Sequence, residues 1–152
     1  MMPNANASLP PKEDREFSNL SLSPPNLASL KSLRVLVVDD NIDTLELTAV
    51  ILEEYVETMT ATSAGEALKM FLESKPDMLI CDIAMPYENG YSLIRKIRKL
   101  DQGGQIPAIA LTAFARDEDR RLSIEAGFQV HLAKPIDPDK LVGIVAALAR
   151  GS

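Results

Sequence analysis

From residue 33 onward, short unbroken hydrophobic runs alternate with longer stretches in which apolar residues recur at helical spacing. The runs are rich in Val, Ile and Leu, as is typical of strands that are buried on both faces of a sheet. The pattern predicts five strands, the second of them weaker and half polar: Leu33–Val38, Val56–Ala61, Met78–Cys81, Ala108–Leu111 and Val130–Ala133.

Local residue choices mark the ends of the helices between these strands. Ser63 with Glu66 three residues later is a capping-box pattern, and Pro76 ends the helix that begins there. Gly127 is suited to a left-handed cap, and Asp137 before Pro138 fits an N-cap and a first helical position. The predicted helices are Asn41–Tyr55, 63 to about 74, Tyr91–Leu100, Arg116–Ala126 and 137 to about 150.

Five repeats of strand then helix predict an α/β fold, with a parallel sheet, helices on both faces and right-handed crossovers. In open sheets of this kind, functional residues gather where the strands end at their carboxyl edge. The polar residues at that edge are therefore the candidate site.

Residues 1–32 differ in composition from the rest of the chain. They contain five of the ten prolines, many Ser and Asn, and no sustained periodicity, which predicts a disordered leader or linker. Three cations balance three anions there, so the net charge of −6 belongs entirely to residues 33–152. We expect one folded domain over residues 33–150.

Composition also limits the function. The single Cys forms no intramolecular disulfide, and nothing resembles paired zinc-ligand spacing. The sequence shows neither a secretory start nor a run of about 18 apolar residues, so we expect a cytoplasmic protein without a membrane partner. The acidic balance argues against direct nucleic-acid binding.

Three acids follow two of the predicted strands. Asp39 and Asp40 come directly after the first, and Asp82 follows the third. If these strands are neighbours, about 4.8 Å apart, the carboxylates converge and repel one another. A divalent cation would relieve that repulsion, and an all-oxygen donor set with room for water suits Mg²⁺, or alternatively Mn²⁺, better than zinc.

Two further residues complete the predicted edge. Thr112 ends the fourth strand, and Lys134 follows the fifth. A hydroxyl donor and a point positive charge beside a metal-binding acid cluster would together bind a phosphoryl group. The pattern therefore predicts a phosphoryl-acceptor pocket.

Four segments of the chain, taken together, resemble the receiver domain of two-component response regulators, which is CheY-like. The resemblance covers about residues 33–150 and implies the flavodoxin-like (βα)5 fold, with strand order 2-1-3-4-5. The segments are Val35–Asn41, Asp82–Pro86 with Gly90 after it, Leu111–Ala113 and Ala133–Pro135.

The resemblance assigns roles in metal binding. Asp40 and Asp82 would bind Mg²⁺ directly, together with the backbone carbonyl of Ala84. Asp39 would act mostly through water.

The resemblance also assigns roles in phosphorylation. Asp82 would be the phosphorylated residue, Thr112 the switch hydroxyl and Lys134 the counter-charge, with a cis bond to Pro135. His131 occupies the switch position where many receivers carry Tyr or Phe. From the residues alone, His131 is a structural or interface residue rather than a metal ligand, because no second His or Cys accompanies it. Phe114, two positions beyond Thr112, would flank the path of attacking water.

The implied function is a phosphorelay switch rather than a turnover enzyme. A histidine kinase or histidine phosphotransfer protein would donate the phosphoryl group. Because the sequence ends soon after the last predicted helix, we expect output through contact with a downstream protein. The resemblance leaves open a phosphorylation-dependent dimer, and either a free-standing regulator or the terminal receiver of a hybrid histidine kinase.

Two alternatives belong to other functional classes. A HAD-like aspartyl-phosphate phosphatase would use an Asp-x-Asp arrangement and a cap insertion, which this sequence lacks. A pseudo-receiver would keep the fold as a binding module without being phosphorylated.

Overall fold

Strands and helices alternate along the whole described part of the chain, which in this computed structural model comprises residues 29–113 and 116–151. Short 3-10 turns lie at Ser29–Ser32 and Asp101–Gly103. The regular elements are β1 Arg34–Val38, α1 Ile42–Glu53, β2 Glu57–Ala61, α2 Ala64–Ser74, β3 Met78–Asp82, α3 Gly90–Arg98, β4 Ala108–Thr112, α4 Asp117–Ala126, β5 Val130–Ala133 and α5 Pro138–Gly151.

The strands form one parallel sheet in the order β2-β1-β3-β4-β5. This order confirms the predicted flavodoxin-like (βα)5 architecture, and each predicted strand agrees with the observed one to within a residue at either end. Because every strand is parallel, all five carboxyl ends lie at the same edge of the sheet.

The core consists of two hydrophobic layers, one on each face of the sheet. Alternate residues of β1 divide between them: Leu36 and Val38 pack with α2 and α3, whereas Val35 and Val37 pack with α1 and α5. This division follows from the two-residue period of a strand. A strand that is apolar at every position therefore contributes to both layers, as the sequence pattern predicts.

Side chains cap the helices largely as predicted. The Ser63 hydroxyl accepts a hydrogen bond from the backbone N–H of Glu66 (3.1 Å), and Asp137 accepts from the N–H of Asp139 (3.1 Å). Glu66 differs from the capping-box prediction, because its carboxylate accepts from the N–H of Thr62 (2.7 Å). Gly127 ends α4 with φ = 131°, in the region that favours glycine.

Packing extends ahead of β1. Leu30 is buried in the layer that contains α1 and α5, and Lys31 donates to the carbonyl of Glu54 (2.7 Å). The predicted leader lies mostly outside the described residues, so its disorder and the boundary after residue 32 stay predictions. None of the helices in the described residues combines the length and apolar character needed to cross a bilayer.

Arg98, the last residue of α3, joins three parts of the chain. Its guanidinium donates to the carbonyl of Gly127 (Nη2, 2.7 Å), and to those of Gly103 and Ile106 (Nη1, 2.9 and 2.6 Å). These three carbonyls belong to the ends of α3 and α4 and to the approach to β4. Arg98 therefore satisfies loop carbonyls that no regular element pairs.

Arg98→Ala should lower the free energy of unfolding by about 2–4 kcal/mol, because several charge-assisted hydrogen bonds disappear together. Arg95→Ala is the matched control, since Arg95 lies on the same helix and is exposed; its effect should stay within about 0.5 kcal/mol. Urea unfolding of both variants measures the difference. Equal losses for the two variants would contradict this role of Arg98.

Candidate functional site

An acid cluster lies at the carboxyl edge of the sheet, where β1 and β3 end side by side. Val38 pairs with Cys81 in the ladder, so the next residues, Asp39 and Asp82, are neighbours. Asp39, Asp40 and Asp82 each offer a carboxylate oxygen, and these oxygens lie within 4.8 Å of one another. The structure thus brings together the three acids that the sequence predicted to converge.

Lys134 lies at the acid cluster as its counter-charge. Its Nζ is 2.9 Å from Oδ2 of Asp39 and 3.3 Å from Oδ1 of Asp82. The register of β4 and β5 explains this position: Thr112 pairs with Ala133, and the N–H of Lys134 donates to the Thr112 carbonyl (2.8 Å). Thr112 and Lys134 therefore lie at the same edge as the acids, as predicted.

Burial distinguishes the members of the site. Asp39, Asp82 and Thr112 are each at most 5% exposed, whereas Asp40 is exposed. The second oxygen of Asp39 accepts from the N–H of Asn41 (2.9 Å). Asp39 is thus held on two sides, by an amine and by an amide, while the cluster reaches solvent at Asp40.

Burial and crowding shift the pKa values of the site. Burial, followed by the negative charge of Asp39, raises the pKa of Asp82 to about 6, and Lys134 partly opposes this increase. Burial acts to lower the pKa of Lys134, but its hydrogen bond to Asp39 and the charges of both acids outweigh burial and raise it. Burial, then the charge of Asp82, raises the pKa of the Cys81 thiol well above its ordinary value. Cys81 is therefore an inert core residue.

The connection from β3 to α3 carries Ala84, which is exposed two residues beyond Asp82. Gly90 fixes the end of this connection. A Cβ on Gly90 would lie 2.6 Å from the Asp82 carbonyl oxygen and 3.0 Å from Cα of Ile83. The absence of a side chain lets α3 begin directly against the end of β3.

His131 is buried in β5, and its Nδ1 lies 2.8 Å from the hydroxyl of Ser123 on α4, which is also buried. Ser123 was not among the residues predicted from sequence. A serine three residues before Ala126, on the face that α4 buries, was the pattern that could have identified it. The bond from Lys134 to Pro135 is cis, as predicted. Phe114 lies outside the described residues.

The donor set of the acid cluster fits a hard divalent cation. Its ligands are carboxylate oxygens close enough to share one ion, with an exposed side that admits water. Neither sulfur nor imidazole takes part, which disfavours zinc. Three carboxylates against the one amine of Lys134 also leave an excess of negative charge that a cation would neutralise.

Comparison with known proteins agrees with this geometry. The family described as response regulator receiver domain matches residues 35–146. An uncharacterized 14.6 kDa protein in the sodA1 3′ region of Leptolyngbya boryana is 42% identical over 120 residues, or 78% of this chain and 92% of that protein. The transcriptional regulatory protein PrrA of Mycobacterium tuberculosis is 38% identical over 78% of this chain, which spans 51% of PrrA.

A solved structure shares the fold. The chemotaxis protein CheY4 of Vibrio cholerae superposes with a TM-score of 0.74 at 26% identity, over 76% of this chain and 98% of that one.

The parallel five-stranded sheet, with clustered acids and a lysine at its carboxyl edge, defines an α/β signalling domain of the CheY-like class. The chain belongs to the response regulator receiver domain family. Receiver domains act in two-component signalling, are generally not enzymes and bind Mg²⁺ at an acidic pocket. The acid cluster is the corresponding feature here.

The raised pKa of Asp82 predicts a pH-dependent stability in the absence of metal. A carboxyl whose pKa is higher in the folded than in the unfolded chain favours folding while it is protonated, and this contribution is lost as the pH rises through about 6. Asp82→Asn does not ionise. The free energy of unfolding of the variant relative to that of wild type should therefore be about 1–2 kcal/mol higher at about pH 7.5 than at about pH 4.

Urea unfolding at the two pH values, with a chelator present, measures this difference. Asp101→Asn, at an exposed acid outside the site, should show no such gain. If the free energies of unfolding of wild type and Asp82→Asn change in parallel with pH, the result would contradict the shifted pKa of Asp82.

Proposed function

We propose that this receiver domain, over residues 33–150, accepts a phosphoryl group on Asp82 from a phosphohistidine of a histidine kinase or histidine phosphotransfer protein. The observation that carries the proposal is the placement of Lys134 Nζ at both Asp39 and Asp82. An ammonium beside an acid that is only 5% exposed provides the charge that a phosphorylated aspartate needs.

The transfer is an in-line displacement at phosphorus. An oxygen of ionised Asp82 attacks, a new P–O bond forms, and the bond from phosphorus to the donor imidazole nitrogen breaks, with its electron pair left on that nitrogen. Asp82 must be ionised for this step, so at pH values below its pKa of about 6 protonation reduces the reactive fraction. Lys134 stays protonated, and its ammonium positions both the Asp82 carboxylate and the incoming phosphoryl group.

The chain's own residues suit a bound Mg²⁺ or Mn²⁺. Asp40 and Asp82, with the carbonyl of Ala84, would hold the ion directly, and Asp39 would act through water. When bound, the ion supplies positive charge to the phosphoryl oxygens. Asp39 keeps its contacts with Lys134 and the Asn41 amide, which orient it toward the cluster.

Thr112 and His131 would connect phosphorylation to output. Thr112 is buried at the end of β4, next to the strand that carries Asp82, so its hydroxyl is suited to donate to a phosphoryl oxygen. His131 lies in the adjacent strand and is the proposed switch residue. Movement at this end of β4 and β5 would alter the surface formed by the last elements of the domain.

The phosphatase and pseudo-receiver alternatives have less support. Family membership favours a signalling domain over a phosphatase, and the assembled Asp82, Thr112 and Lys134 favour a phosphoacceptor over a module that is not phosphorylated. Output through protein contact and the cytoplasmic location stay predictions, and the resemblance leaves open a phosphorylation-dependent dimer and either a free-standing regulator or the terminal receiver of a hybrid kinase.

The phosphoacceptor assignment is tested with the full chain, acetyl phosphate and Mg²⁺. The intact mass should increase by one phosphoryl group, and the increase should disappear in Asp82→Asn or after chelation of the metal. Asp101→Asn is the matched acid-to-amide control and should be phosphorylated like wild type. An unchanged mass increase in Asp82→Asn would place the acceptor elsewhere, and sustained release of phosphate from a phosphate ester would favour the phosphatase.

Lys134→Met tests the counter-charge. It keeps the acids and a side chain of similar length but removes the ammonium, so phosphorylation should slow by about 10- to 100-fold. The initial rate of mass increase measures this effect, with exposed Lys99→Met as the control. A wild-type rate in Lys134→Met would show that the ammonium is dispensable.

A further inference from the structure

Two of the buried polar side chains lie away from the acid cluster and bind each other. The buried polar residues among those described are Asp39, Thr48, Asp82, Thr112, Ser123 and His131. Asp39, Asp82 and Thr112 belong to the site, and Thr48 donates to a carbonyl of its own helix. Ser123 and His131 remain, and their hydrogen bond joins α4 to β5 (2.8 Å).

This hydrogen bond matters because, apart from the Arg98 hydrogen bonds to Gly127 at its end, few buried side chains attach α4 to the rest of the domain. The buried residues of α4 are Ser123 and Ala126, both small, and Ile124 is 54% exposed. The preceding helices each bury at least one large apolar side chain, such as Leu52 in α1 and Phe71 in α2. With so little apolar area buried by α4, one buried hydrogen bond is a large share of its attachment to the sheet.

The partner of Ser123 lies close to the site. His131 is three residues before Lys134 in the same short stretch of chain, and Ala133 between them pairs with Thr112. A shift of Thr112 and Lys134 toward a phosphoryl group would therefore move β5, which is an edge strand with a neighbour on one side only. Such a shift changes the position of the His131 ring relative to α4.

The structure also contains space for a second arrangement. A cavity of about 490 Å³ lies along β5 between α4 and α5, and His131 lines it together with Arg120 and Ile124 of α4 and Ile136 and Lys140 beyond β5. The space beside α4 along β5 is therefore not filled by packed core side chains.

We propose that the Ser123–His131 hydrogen bond is a latch that fixes the position of α4, and that Ser123 is a positioning residue through which α4 responds to phosphorylation. The second part rests on the function proposed for Asp82. Ser123 acts through His131 and contacts neither the acids nor the phosphoryl group. Release of the latch would expose a different α4 surface to a partner protein.

Hydrogen–deuterium exchange of α4 tests the latch in the unphosphorylated protein. Ser123→Ala should accelerate exchange of residues 117–126 by about tenfold, because local opening no longer breaks the hydrogen bond. Ser123→Thr keeps a hydroxyl and should stay within about twofold of wild type. Ser92→Ala, which removes a hydroxyl bonded to Glu88 beside α3, should leave α4 unchanged.

A double-mutant cycle separates the latch from a packing effect. His131→Phe keeps a buried ring but removes the nitrogen that meets Ser123, so Ser123→Ala should change α4 exchange by less than about twofold in that background. A full tenfold effect in the presence of His131→Phe would overturn the latch, as would wild-type exchange of α4 in Ser123→Ala.

Phosphorylation tests the coupling in the same samples, with intact mass confirming the modification by acetyl phosphate and Mg²⁺. Wild type should show a change in α4 exchange when phosphorylated, and Ser123→Ala should show less than half of that change, because its latch is already released. A phosphorylated Ser123→Ala with the full response would overturn the positioning role. A wild type that gains no mass would instead overturn the function proposed for Asp82.

Discussion

The site depends on the balance between two buried carboxylates that repel each other and one ammonium that holds them together. Asp39 and Asp82 lie side by side because β1 and β3 are neighbours in register, and Lys134, which follows the edge strand β5, contacts both from the same edge of the sheet. Neither acid could remain buried and ionised without such a partner. Burial and the charge of Asp39 raise the pKa of Asp82 although Lys134 opposes them, and the single ammonium leaves the pocket with excess negative charge. This residual negative charge is what makes the pocket receptive to a cation.

The sheet provides the rigidity that this balance requires. The strands that bear the acids and Thr112 are inner strands, and their apolar residues fill both core layers, so little movement is available to them. The opposite holds at β5 and α4. An edge strand and a helix that buries only small side chains form the compliant side of the domain, and Lys134 connects the two regions. A change at the acids is therefore most easily accommodated toward α4.

Much of this architecture followed from local sequence pattern. Apolar runs predicted β1, β3 and β4 to within a residue, since a strand buried on both faces has no polar alternation, and β2 was predicted as accurately from a weaker, half-polar pattern. Asp39, Asp40, Asp82, Thr112 and Lys134 were identifiable because each directly follows or ends an apolar run, and parallel strands place such residues at one edge. The capping of α2 was less predictable, since Glu66 had two neighbouring N–H groups within reach and binds that of Thr62.

The sequence by itself thus determined the elements, the edge at which chemistry gathers and the residues that lie there. Only the tertiary structure decided which contacts those residues make: Lys134 pairing with Asp39 as well as Asp82, Gly90 packing against the end of β3, and His131 meeting Ser123. The physical reason is the distance along the chain over which each effect acts. Periodicity and caps act within a few residues, whereas each of these contacts depends on the register, packing distance or crossover that brings separate elements together.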